Sequence, residues 1–168
     1  MTPLQWVAMG LVLTLVDADI GGYDAVPDVL GWVMVVPALL RLRDVLATTT
    51  LVGLAVLAGM ASLTTLRPDL IEDLPESTGW LLSLPQFAFS LLLSVELGRA
   101  VPRLARRFGV LAWTFGVAAV GPVLLYGGGV DVLLVPLAVL TVLANVYLVY
   151  LLFRVARVGL GTNVPPSG

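Results

Sequence analysis

The sequence predicts an all-α integral membrane protein, a bundle of about six transmembrane helices in three hairpins, the first two hairpins related as a parallel repeat. Three observations predict it. Hydrophobic residues make up 59% of the 168-residue chain and charged residues 12%, with a mean hydropathy of +1.03. A soluble domain carries about 25% charged residues, and a core of this size cannot hide so much apolar surface from water. Six apolar runs approach the roughly 20 helical residues that cross about 30 Å of hydrocarbon. The loops between these runs alternate between acidic and basic.

The first run extends from Thr2 to about Asp17. It has no basic segment before it and no small-residue cleavage site after it, so it reads as a retained span rather than a removable signal peptide. The second runs from about Ala25 to Leu42, the third from Val45 to Leu66 and the fourth from Gly79 to about Leu97. The fifth runs from Val110 to Tyr126 and the sixth from Val130 to Phe153. Residues 1–160 form one transmembrane domain on this reading, and 161–168, with a double proline, a disordered cytoplasmic tail. The first two runs are marginal in length and need polar residues at their outer ends, or a tilted or re-entrant hairpin, to reach both interfaces.

Arginine sets the orientation, because loops on the cytoplasmic side are enriched in basic residues. Arg41 and Arg43 follow the second run, Arg99, Arg103, Arg106 and Arg107 the fourth, and Arg154 and Arg157 the sixth, while Arg67 alone follows the third. Every second loop is therefore basic. That requires an even number of spans and predicts a cell-membrane protein with cytoplasmic N- and C-termini. The intervening loops hold Asp17, Asp19, Asp24 and Asp28, then Asp69, Glu72, Asp73 and Glu76, then Asp131. Tyr23, Trp32, Trp80 and Tyr126 near outer ends, and Trp6, Trp113, Tyr147 and Tyr150 near inner ends, fit interfacial belts.

An internal repeat spans the first two hairpins. Asp24-x-x-Pro27-Asp28-x-x-Gly31-Trp32-x-x-x-x-Pro37 matches Glu72-x-x-Pro75-Glu76-x-x-Gly79-Trp80-x-x-x-x-Pro85 without a gap, 48 residues apart. Proline followed by an acid suits a helix start, where the missing N–H has no partner to lose and a carboxylate meets the positive end of the dipole. The tryptophans read as interface anchors and the glycines as places for a close neighbour. Pro37 and Pro85 free the carbonyls of Val33 and Leu81 at matching depths. Two copies of a helix start explain the motif. A second reading is that the paired proline-bearing helices frame an outward cavity.

The stretch from Tyr23 to Leu42, with Pro27-Asp28-x-x-Gly31-Trp32 and a basic end at Arg41, resembles a hairpin of small bacterial multi-pass membrane proteins of unknown function. Those carry a Leu-Pro-Asp-x-x-Gly-(Tyr/Trp) turn before a short apolar helix. The resemblance covers mainly the first quarter of the chain and implies membrane class without an activity. The basic residues are all arginine, with abundant Ala, Val, Leu and Gly; this points to a GC-rich bacterial genome of actinobacterial type.

For chemistry the chain is sparse. Without cysteine or histidine it lacks thiolate sites, the usual neutral-pH acid/base and the commonest metal ligand. No nucleophile–base set and no phosphate loop are present, so no enzyme, no cofactor and no nucleic-acid partner is expected; Gly127-Gly128-Gly129 reads as a tight outer turn. Asp17, Asp19, Asp24 and Asp28 form a candidate outer acidic cluster of oxygen ligands, against the plainer reading of a solvated loop. Ser83, Gln86, Ser90 and Ser94 recur at steps of three and four along one face of the fourth run, and Asn145 lies in the sixth. Gln86, Ser83, Ser90 and Asn145 are the candidate polar cavity, against the plainer reading of helix packing. Pro85-Gln86 also resembles the Pro-Gln pair of PQ-loop carriers, although the surrounding pattern departs from theirs. The expectation is a non-enzymatic scaffold or accessory subunit, with the lipid bilayer, a protein partner or a second copy as its surroundings. The alternative is a small carrier in which Gln86 and the Val33 and Leu81 carbonyls line one cavity.

Overall fold

The computed structural model describes residues 1–15, 19–20, 23–24, 28–64 and 76–158. The expected terminal tail, Asp17, Arg67 and the repeat prolines Pro27 and Pro75 lie outside these residues. Among the described residues run six helices: α1 (Pro3–Leu13), α2 (Asp28–Leu40), α3 (Thr48–Ser62), α4 (Glu76–Ala100), α5 (Ala105–Gly128) and α6 (Leu134–Val158). Single 3-10 turns, Pro102–Leu104 and Asp131–Leu133, precede α5 and α6. Between α1 and α2, β1 (Asp19–Ile20) pairs antiparallel with β2 (Tyr23–Asp24), setting Asp19 opposite Asp24 and Ile20 opposite Tyr23.

Six helices follow the six apolar runs in order, but their lengths divide them into two sets. Ser77–Ala100, Pro102–Gly128 and Leu134–Val158 are long and apolar enough to cross a membrane. The helices α1, α2 and α3 hold 11, 13 and 15 residues. At 1.5 Å per residue they reach only about 16, 20 and 22 Å, short of the ~30 Å hydrocarbon layer. The first and third apolar runs overshoot their helices. In α1 the chain leaves the helix at Thr14, whose hydroxyl donates back to the Leu11 carbonyl at 3.0 Å, and the α3 helix closes at Ser62. The fourth and fifth are longer than their apolar runs, because Glu76–Thr78 and Ala105–Gly109 continue the helix in polar sequence.

Local chemistry explains the helix ends. Thr2 caps α1 through a reciprocal pair: the Gln5 N–H donates to Thr2 Oγ1 at 3.3 Å, and the Thr2 N–H donates to Gln5 Oε1 at 2.8 Å. Asp28 and Glu76, equivalent in the repeat, are the first residues of α2 and α4. Both helices continue through their repeat proline, Pro37 and Pro85. Gly129 ends α5 at φ +64°, its N–H donating to the Leu125 carbonyl at 3.1 Å, a left-handed cap that glycine adopts without strain.

Each helix packs on the next, and α6 closes onto α1, so the six form a ring. The interior is apolar. Val7 and Leu11 of α1, Val35 and Leu39 of α2 and Leu51 and Ala55 of α3 fill one half, and Phe89, Leu93, Phe108, Phe115, Leu148 and Leu152 the other. The halves meet where the Trp32 indole sits edge-on to Phe89, ring centres 5.2 Å apart and planes at 89°. Helices α1 and α2 approach so closely that a Cβ on either Gly10 or Gly31 would run into the other's carbonyl oxygen.

One end of the ring gathers the basic loops. The Ala47 N–H, after α2, donates to Glu96 Oε2 of α4 at 3.4 Å, and Glu96 also pairs with Arg99 at 2.7 Å. Arg41 lines a groove with Trp6 of α1. The loop carrying Arg41 and Arg43 therefore sits beside the end of α4 that carries Arg99.

Candidate functional site

The polar stripe of α4 meets the start of α2 and the end of α3 in a pocket of ≈ 230 Å³, whose described lining includes Asp28, Ser62, Ser83 and Gln86 among Ala58, Ala61 and Leu82. The fold creates this recess through helix length: α2 begins and α3 ends level with the first half of α4, so α4 rises past both as a wall. Asp28 is at the pocket because it opens α2, where its carboxylate is favoured by the unpaired N–H groups of the first turn. Ser62 and Ser83 donate to the carbonyls of Ala58 at 3.0 Å and Gly79 at 2.9 Å.

One helical turn deeper, on the same faces, lie Trp32 (four after Asp28) and Ser90 (four after Gln86). Both are buried, and neither Trp32 Nε1 nor Ser90 Oγ has a hydrogen-bond partner. Leaving such groups buried and unpaired costs about 1–3 kcal/mol each. Trp32 thus departs from its expected place. The Gly-Trp pattern reads as an interface anchor, but Gly59 of α3 lets the indole slide into the core beside Phe89. Its repeat counterpart behaves differently: Trp80 stays half-buried, and its Nε1 donates to the Ala119 carbonyl of α5 at 3.0 Å. That bond falls next to Ala118, whose carbonyl loses its usual donor to Pro122. The glycines diverge too, since a Cβ at Gly79 would meet nothing within 4 Å.

The four candidate cavity residues therefore separate. Gln86 and Ser83 line the pocket, Ser90 lies one turn beneath it, and Asn145 is elsewhere. Asn145 is buried in α6, where its Nδ2 donates to the Thr141 carbonyl at 2.9 Å. Thr141 itself faces a mainly apolar groove of ≈ 350 Å³ among α4, α5 and α6, with Trp80 and Tyr126. The Val33 and Leu81 side chains are exposed, and Val33 belongs to the groove with Trp6 and Arg41. Of the acidic cluster, Asp28 is at the pocket, Asp19 and Asp24 face each other in backbone register, and Asp17 lies outside the described residues. Among the described residues no three acidic side chains converge to hold a metal ion.

A shallow apolar groove of ≈ 550 Å³ runs along α5, lined by Trp113, Gly116, Val117, Val120, Gly121 and Leu124, and a second of ≈ 630 Å³ adjoins it at Arg106, Gly109, Trp113 and Thr114. Sequence reading missed both, although glycines beside a tryptophan on one apolar helix were their signal. No protein-family model, curated protein or solved structure matches this chain, so its own residues carry the functional reading.

Proposed function

We propose that the chain is a multi-pass protein of the plasma membrane, its six helices inserted as three hairpins with both termini cytoplasmic, and that it serves as a non-enzymatic scaffold or accessory subunit. The short α1–α3 half requires the bilayer to thin around it, at a cost of fractions of a kcal/mol per Å of mismatch. The basic loops after α2 and α4, adjacent at one end of the ring, support the orientation. The matched starts of α2 and α4 support a parallel repeat whose copies have since taken different neighbours.

The observation carrying the scaffold reading is the groove on α5. Gly121 and Gly116 face Leu137 of α6 and Leu91 of α4 within this chain, so what the groove offers a second helix is the recess between Trp113, Val117, Val120 and Leu124. Close packing is the usual basis of helix association in lipid, where apolar side chains gain little by leaving the acyl chains. A photo-crosslinking residue at Val120, activated in intact membranes, should give a discrete protein adduct. Adducts to lipid alone would refute the reading.

A second reading, a small carrier with an outward-facing polar cavity, is favoured by the pocket that holds Gln86, Ser83 and Asp28. A carrier exposes its cavity alternately to both sides. Ser83→Cys should then react with an impermeant thiol reagent in right-side-out and in inverted vesicles. Reaction from one side alone excludes transport through this pocket.

A further inference from the structure

The ≈ 630 Å³ groove has a charged mouth and an apolar bed. It starts at Arg106, passes Gly109 and Trp113 and reaches Val117, with Leu140 of α6 as its other wall. On α5 these positions recur at steps of three and four, so they form one row along the helix. From Arg106 to Val117 the helix rises about 16 Å at 1.5 Å per residue. One leaflet of a ~30 Å hydrocarbon layer is about as deep. A Cβ at Gly109 would meet nothing within 4 Å, so the row is bare between the arginine and the tryptophan. Trp113 is 74% exposed beside it. The one hydroxyl in the lining is already occupied, since Thr114 Oγ1 donates to the Val110 carbonyl at 2.9 Å.

In a bilayer a recess of this kind fills with an acyl chain, and the charge at its mouth decides which lipid supplies it. Arg103, Arg106 and Arg107 are exposed together at the start of α5. The ion pairs among the described residues, Arg43 with Asp44 and Arg99 with Glu96, involve none of the three. A guanidinium presents a planar fork of donors that matches a phosphate group. Basic pockets between membrane helices hold anionic headgroups by this means. A zwitterionic lipid carries its own cation next to the phosphate, whereas an anionic lipid leaves the negative charge for the arginines.

We infer that this groove is a binding site for an anionic phospholipid. The phosphate pairs with Arg106, flanked by Arg103 and Arg107, and one acyl chain lies along Gly109, Trp113 and Val117 against Leu140. The site rests on the membrane reading and goes beyond the scaffold reading, whose contact at Val120 falls past the end of this groove.

The full chain is reconstituted into vesicles of equal parts phosphatidylcholine and phosphatidylglycerol, with bromine on the acyl chains of one lipid or the other. Bromine quenches an indole that its chain touches, and subtracting Trp113→Phe from the wild type isolates the Trp113 signal. Phosphatidylglycerol should quench as though enriched about fivefold, the factor one arginine near an anionic headgroup contributes. Arg106→Gln removes the charge and Gly109→Leu fills the recess, and each should reduce the enrichment to less than about twofold. Arg43→Gln takes the same charge from the loop after α2, outside the groove, and should leave the enrichment unchanged. Equal quenching by the two lipids overturns the inference. An equal loss in Arg43→Gln and Arg106→Gln means diffuse attraction to the basic end and overturns it too, as does full enrichment in Gly109→Leu. Extraction with alkaline carbonate separates the two levels. A chain released from the vesicles sinks the membrane reading and this site together, and a retained chain without lipid preference sinks the site alone.

Discussion

Adding one methyl group at Gly10 tests the closest helix contact in the molecule. A Cβ there would stand 2.5 Å from the Gly31 carbonyl oxygen and 2.6 Å from Val35 Cγ2. The valine methyl has room to turn, but the carbonyl belongs to the α2 backbone and moves only if the helices separate by about 1 Å. Overpacking of this kind costs about 1–3 kcal/mol. Helix propensity works the other way, since alanine is favoured over glycine by about 1 kcal/mol inside a helix. Gly10→Ala should therefore lose about 1–2 kcal/mol net, and so should Gly31→Ala, whose Cβ would meet the Gly10 carbonyl. The double variant should lose less than the sum, because the first substitution already parts the helices. Gly79→Ala, the repeat counterpart with nothing within 4 Å, should be neutral or more stable by up to about 1 kcal/mol. Reversible unfolding in mixed micelles, followed by circular dichroism, measures all four. Gly10→Ala and Gly79→Ala of equal stability would refute the close approach of α1 and α2.

Trp80→Phe removes the bond to the Ala119 carbonyl and should cost about 0.5–1.5 kcal/mol in the same assay. Trp32→Phe keeps the aromatic contact with Phe89 and deletes an unpaired N–H, so it should change stability by less than about 1 kcal/mol, whereas Trp32→Ala should cost about 3–5 kcal/mol. If the two Trp32 variants are equally damaging, the indole N–H is satisfied. Gly129→Ala forces a side chain into the left-handed region and should lose about 1–2 kcal/mol. Single cysteines at Ser77 and Ser167 should label from opposite sides of the membrane; labelling from the same side would sink the six-span topology.

The helices were legible in the sequence because an apolar run is a statement about solvent, and solvent decides whether a backbone must satisfy itself. Their ends were legible where a local group sets them, as at Thr2, Asp28, Glu76 and Gly129. They were not legible at Leu13 and Ser62, where apolar sequence continues beyond the helix. Gln86 and Ser83 could be placed on one face of α4 from spacing alone. The contribution of Asp28 and Ser62 to the same pocket depends on how far α2 and α3 rise against α4, which no one-dimensional pattern encodes. Trp32 is the sharpest case. The repeat equates it with Trp80, but burial is decided by what stands opposite, and Gly59 and Phe89 lie on other helices.

The closure of α6 onto α1 makes the first helix depend on the last. During synthesis α1 and α2 can meet early through Gly10 and Gly31, but the side of α1 that α6 covers stays open until residues 134–158 have been made. Every intermediate in between is an open arc with two unsealed edges. A chain stopped before Leu134 would keep those edges permanently, making it a natural target for proteases and for mispairing with a neighbouring arc.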